Sequence, residues 1–142
     1  MANHYEDAAT LIPAEAMAPG AAKRIQEIFL EMEEQGMSTQ DWSGGLLVEA
    51  QPDDSLYISS ADDWFNYDAF CAVITAAAAQ SLILKSFGIG TAWYCSKLRP
   101  DEFGGAYHRV LPSGEVLSVT SCLAHRTDEE VRAISSAVGA HF

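Results

Sequence analysis

An α+β fold with a small mixed or antiparallel sheet is predicted from three observations. A long apolar helix pattern over residues 68–87 is halted by Gly88 and leads straight into a strand pattern at 89–94. Short β-prone runs stand at 46–50, 56–60 and 116–123, and an amphipathic helix pattern covers 21–35. Helical and strand periods therefore alternate along one chain without an internal repeat.

The central helix is the most informative element. Phe70, Val73, Ile74, Ala77, Leu82, Ile83 and Leu84 go round most of the cylinder, which marks a helix packed on several sides. The alanines at 76–79 are strong helix formers with little side chain, so another backbone can approach there, as in a tight helix–helix or subunit contact. Asp68 and Lys85 complement the helix dipole at their own ends, and Gly88 supplies a residue suited to a left-handed C-terminal cap. A membrane span is not expected, because Asp68, Gln80, Ser81 and Lys85 would sit unpaired in lipid.

The other elements follow from local chemistry. Residues 1–20, with Pro13, Pro19, Gly20 and several alanines, read as a flexible or partner-ordered N-terminal arm, and 21–142 as a single domain. In the first helix Ile25, Ile28, Phe29 and Met32 recur at helical spacing, and Gly36 ends it. The runs at 46–50 and 56–60 flank Gln51-Pro-Asp-Asp-Ser55, which has turn chemistry, so they form either a hairpin or two separate strands. Arg99 to Tyr107 reads as short helical or irregular structure, and Pro112-Ser-Gly114 as a turn. Val116 to Leu123 is the clearest strand, and Thr127-Asp-Glu-Glu130 caps a last helix to about Val138.

Composition narrows the function classes. Twenty acidic residues against eight basic ones give a net charge of −12 over 142 residues, so a phosphate backbone would be repelled and nucleic acid binding is disfavoured. The same charge favours solubility and a basic or cationic partner. Cys71, Cys95 and Cys122 have no paired spacing and lie in apolar segments, like buried free thiols of reducing compartments. The first ten residues lack a basic region followed by an apolar run. A cytoplasmic location is the expectation.

Several residues admit both a bland and a chemical reading. Cys71, Cys95, Cys122, His108 and His125 lack the spacing of a metal site, and the cysteines and histidines lack a recognisable nucleophile–base pattern. Asp62, Asp63 and Asp68, just before the central helix, read as capping and dipole residues before they read as cation ligands. Trp93 and Tyr94 are either core or interface aromatics or ring-stacking groups. Cys95 is either an inert small apolar residue or a cofactor contact. Arg126 is either solvated or phosphate-binding, and His125 either a surface histidine or a proton donor.

From about Tyr67 to Arg132 the chain resembles the flavin-binding nitroreductase family. The motifs arrive in the family's order: Ala-Ala-Gln80-Ser-Leu82, then Gly88-Ile-Gly90-Thr-Ala-Trp93-Tyr94, then Arg99-Pro-Asp-Glu-Phe103. Val110-Leu-Pro112-Ser-Gly114-Glu-Val116-Leu follows, then Leu123-Ala124 and an Asp128-Glu-Glu tail. The resemblance implies a nitroreductase-like core, with a long buried central helix at a dimer interface and FMN between subunits. It also implies that Trp93, Tyr94, Cys95 and Ser96 lie against the flavin and that a backbone amide at Cys95 or Ser96 bonds the ring nitrogen that takes hydride. Arg126 is the local candidate for the flavin phosphate. No catalytic side chain and no metal ligand is assigned.

The departures shape the expected function. Family members open with an Arg-x-Ser-x-Arg cluster for the phosphate and a loop with Asn and Pro-Trp over the ring, and nothing in Met1 to Gly45 matches either. Members also tend to close with a Lys or Arg pair, where this chain has His141-Phe142. The expectation is an FMN-dependent oxidoreductase working as a homodimer or hetero-oligomer, with a partner chain completing the pocket and a small-molecule or peptide-derived substrate. The alternative is a cofactor-free interaction protein that retains the dimerisation core.

Overall fold

The computed structural model describes residues 4–36, 44–95 and 104–121, with 128, 129 and 132. Six strands form one sheet: β1 (His4–Ile12), β2 (Leu47–Ala50), β3 (Leu56–Ser59), β4 (Phe87–Cys95), β5 (Gly104–Val110) and β6 (Val116–Ser121). Two helices, α1 (Ala21–Gly36) and α2 (Tyr67–Ala79), separate β1 from β2 and β3 from β4. The spatial order is β2-β3-β1-β4-β5-β6, and every adjacent pair is antiparallel. The first four strands with their two helices follow the split βαβ arrangement, onto which β5 and β6 add a meander.

The expected α+β class and short strands are present, and the sheet is antiparallel throughout. The runs at 46–50 and 56–60 do form a hairpin, with Val48 opposite Ile58. Its turn is tied by the Asp53 carboxylate, which accepts from the Ser55 amide at 3.0 Å and from the Ser55 hydroxyl. The Pro112-Ser-Gly114 turn joins β5 to β6, with Gly114 in the left-handed region at φ 91°.

Both helices cover one sheet face. Ile12, Val48, Leu56, Ile58, Ile89 and Val110 point into a core shared with Ile25 and Phe29 of α1 and with Phe70, Val73, Ile74 and Ala77 of α2. Phe70 is 1 % exposed, and burying such a side chain stabilises the fold by about 2–3 kcal/mol.

The structure corrects four sequence expectations. The N-terminal arm contains β1, a central strand bonded on both sides, to β3 and to β4. Its alternation is weak because Glu6 and Thr10 share the helix-covered side with Ala8 and Ile12. The helix predicted over 68–87 stops at Ala79. Ser81 takes φ 57° there, its amide donates to Ala78 C=O at 2.9 Å, and the Leu82 amide donates to Ala77 C=O at 3.1 Å. This is a Schellman closure with serine in the place glycine usually takes. Leu82 to Lys85 then run beside Ala16 to Ala18, bonded through Leu82 C=O and the amides of Leu84 and Lys85. Gly88 accordingly lies inside β4 and caps nothing.

The third correction concerns residues 104–107, which begin β5 instead of continuing an irregular segment. The fourth concerns α2's cap, which is Asn66: its side chain accepts from Ala69 N–H at 3.0 Å while Nδ2 donates to Gly44 C=O at 3.2 Å. Asp62 and Asp63 instead occupy left-handed turn positions. The last predicted helix falls mostly outside the described residues, of which Asp128, Glu129 and Arg132 are helical.

Candidate functional site

The residues expected to meet a flavin are described only in part. Trp93, Tyr94 and Cys95 close β4, where they pair with Glu6, Tyr5 and His4 of β1. Ser96 and Arg126 lie outside the described residues, as do His125 and Cys122. Glu6, opposite Trp93, has its carboxyl raised above the usual range by burial.

The alanine run does not form a free small-residue face. Ala77 is fully buried, and Gly114 of the β5–β6 turn packs so closely on Ala78 that an added Cβ would stand 2.9 Å from it. The chain's own hairpin makes the close approach that the alanines predict.

Among the described residues no element covers the sheet face opposite the helices. Across it the register aligns Glu49, Tyr57 and Leu11 in one row and, on the other half of the sheet, Gly88, Arg109 and Leu117 in another. A further row holds Leu47, Ser59, Ala9, Gly90 and Tyr107. Leu11 is 58 % exposed and Leu117 42 %, whereas the positions between them on β4 carry no side chain beyond a methyl. A shallow trough of 440 Å³ results, floored by Ala9, Gly90 and Ala92 and edged by Tyr57, Ser59 and Asp7. A Cβ added at Gly90 would make only an ordinary contact, 3.9 Å to the Ala106 carbonyl, while Gly88 is roofed by the Tyr107 ring. The floor admits a flat group, but its one charged lining residue is Asp7, so these residues do not by themselves fit the phosphate of FMN.

A polar cluster sits on the other side of the sheet, between α2 and the last hairpin. His108 Nδ1 and Ser118 Oγ are 2.7 Å apart, and the Tyr67 ring lies 4.8 Å from the imidazole. Burial pushes His108 below its ordinary value, so at neutral pH it is an uncharged partner for the serine hydroxyl. Burial also raises Tyr67 and Cys71, which keeps the phenol and the thiol protonated. Among the described residues no carboxylate is bonded to His108, and no group of three metal-binding side chains is gathered. The cluster therefore works as a polar clasp between α2 and β5–β6. Sequence reading misses it because His108 and Ser118 meet only through register. Their equal distance from Ser113, the middle of the turn, is the signal that would have paired them.

The chain matches no family model, no curated protein and no solved structure. No helix among the described residues is long and apolar enough to cross a membrane.

Proposed function

We propose that this chain is a cofactor-free interaction module that pairs with a second copy of itself through the open sheet face. The observation that carries the reading is a knob beside a hole: exposed Leu11 stands next to the 440 Å³ trough on the same face. A two-fold axis through such a face seats each Leu11 in the partner's trough, the self-complementarity an isologous interface needs. Six strands about 4.8 Å apart and three residue rows deep offer roughly 600 Å² per subunit, at the lower edge of standard interfaces. Dimerisation here differs from the helix-mediated contact expected from the alanine run, whose centre is already packed in cis. Sedimentation equilibrium tests it. The expected mass is twice the 15.4 kDa of one chain, returning to the single value in Leu11→Asp. A monomer at all concentrations would refute it.

A second reading keeps FMN, favoured by the ordered motifs from Gln80 to Glu130 and by the strand that follows Phe87. Because the trough lining lacks a cation, this reading requires another chain to supply the phosphate site. The visible spectrum separates the two. Flavin absorbance that appears only with a co-purifying partner supports the shared pocket, and its absence with every partner removes it.

A further inference from the structure

The clasp between α2 and the last hairpin presents one polar atom at the surface. Ser118 is exposed, whereas the His108 ring that it meets is only 8 % exposed. The turn fixes this pairing: the Leu111 amide donates to Glu115 C=O and the Gly114 amide to Leu111 C=O, each at 2.9 Å, which is a type I turn followed by a glycine bulge. Counted from that bonded pair, His108 and Ser118 form a non-hydrogen-bonded pair, in which facing side chains stand closest. Their 2.7 Å separation follows. By the same count the Ser118 N–H points away from β5, toward the outer edge of β6.

Base, donor and edge amide thus surround one exposed oxygen. The distance from Ser118 Oγ to His108 Nδ1 is that of a nucleophile and its base, and with the ring proton on Nε2 the Nδ1 atom is free to accept. The Tyr67 hydroxyl lies 3.5 Å from Ser118 Oγ on the α2 side and, kept protonated by burial, has a hydrogen to donate.

We propose that Ser118 is a nucleophile activated by His108 and takes an acyl group from activated donors, the thioesters or aryl esters of small acids. Ser118 Oγ bonds to the carbonyl carbon while its proton passes to His108 Nδ1, and the tetrahedral oxyanion accepts from the Tyr67 hydroxyl and the Ser118 amide. The C–S or C–O bond to the leaving group then breaks, the thiolate or aryloxide departs with the electron pair, and His108 returns its proton to water. The donor class follows from the base. Burial disfavours the imidazolium, and among the described residues no carboxylate is bonded to steady it, so leaving groups that depart as anions without a proton are suited and amides are not.

The intact chain is treated with p-nitrophenyl acetate, and acetylated residues are mapped by peptide mass spectrometry. Ser113, exposed in the turn of the same hairpin, serves as the internal reference. Acetylation of Ser118 about a hundredfold or more faster than that of Ser113 is expected, with most of the advantage lost in His108→Gln. Equal labelling of the two serines overturns the proposal. So does labelling of Ser118 that keeps its advantage in a folded His108→Gln chain. The comparison of the two serines needs no variant, so it decides the matter where the glutamine chain fails to fold. The site is on the sheet side away from the trough, so this test is independent of the sedimentation test.

Discussion

The ring of Tyr107 lies across Gly88, one strand over and two residues diagonal to its direct partner Gly90. A methyl group at residue 88 would overlap the ring, so the glycine is held by its neighbour's side chain rather than by its own backbone angles. Gly88→Ala must displace Tyr107 and is expected to cost about 1–3 kcal/mol. In a Tyr107→Ala background the cost should largely disappear. Urea denaturation of the four members of this cycle measures the coupling, and an undiminished cost without the tyrosine would show that the strain lies elsewhere.

Ser81 takes the left-handed position that closes α2, a conformation that disfavours every residue with a Cβ. Ser81→Gly should therefore stabilise the chain by about 1 kcal/mol, raising its melting temperature by roughly 2–4 °C. A lower melting temperature would mean that the serine side chain contributes more than its backbone strain.

Asn66 caps α2 and also ties it to Gly44, from a site only 5 % exposed. Replacing it by alanine removes the cap and leaves the Gly44 carbonyl without this donor, at a cost of about 1–2 kcal/mol. Asn66→Asp should retain the cap but lose the bond to Gly44, so its melting temperature is expected to fall between wild type and Asn66→Ala.

His108 provides a pH signature. Its folded-state value lies below the ordinary 6.5 because burial disfavours the charged ring, so the unfolded chain takes up a proton first as the pH falls. The contribution is present above about pH 6.5 and is lost progressively below it, through the folded-state value. Chemical denaturation between pH 8 and 5 should show a decline that is shallower in His108→Gln. Identical slopes would remove the histidine as its source.

Dimerisation through the open face should respond to salt. Each chain carries −12, so screening favours the pair, and the dissociation constant should fall as sodium chloride rises from about 0.05 to 0.5 M. Leu11→Asp should weaken pairing about tenfold or more at every salt concentration without lowering the melting temperature of the monomer. Dissociation promoted by salt would place the contact on charged groups instead.

Helix α1 and the strands β2, β3 and β6 were legible because each is bounded by its own signals, Gly36, the Pro52-Asp-Asp turn and Gly114, whereas the pairing of β2 with β3 was left open. The end of α2 was not legible. Leu82, Ile83 and Leu84 continue an apolar pattern that fits a helix, and only pairing with Ala16 to Ala18 pulls them into extended backbone. β1 was hidden for a related reason, since its place in the sheet depends on β3 and β4, some fifty to ninety residues downstream. The open face was equally invisible. Leu11, Gly90 and Tyr107 are remote in sequence, and only strand order brings the knob and the trough together. The expected flavin contacts followed motif order alone, and Ser96 and Arg126 among them lie outside the described residues.

Among the described residues β1 alone stitches the β2–β3 half of the sheet to the β4–β5–β6 half. A protease cut near Pro13 would free a short ribbon whose departure divides one slab into a hairpin and a three-stranded meander, each with a raw edge. The same arrangement turns those opening residues into a removable spine, which a synthetic copy supplied from outside could replace.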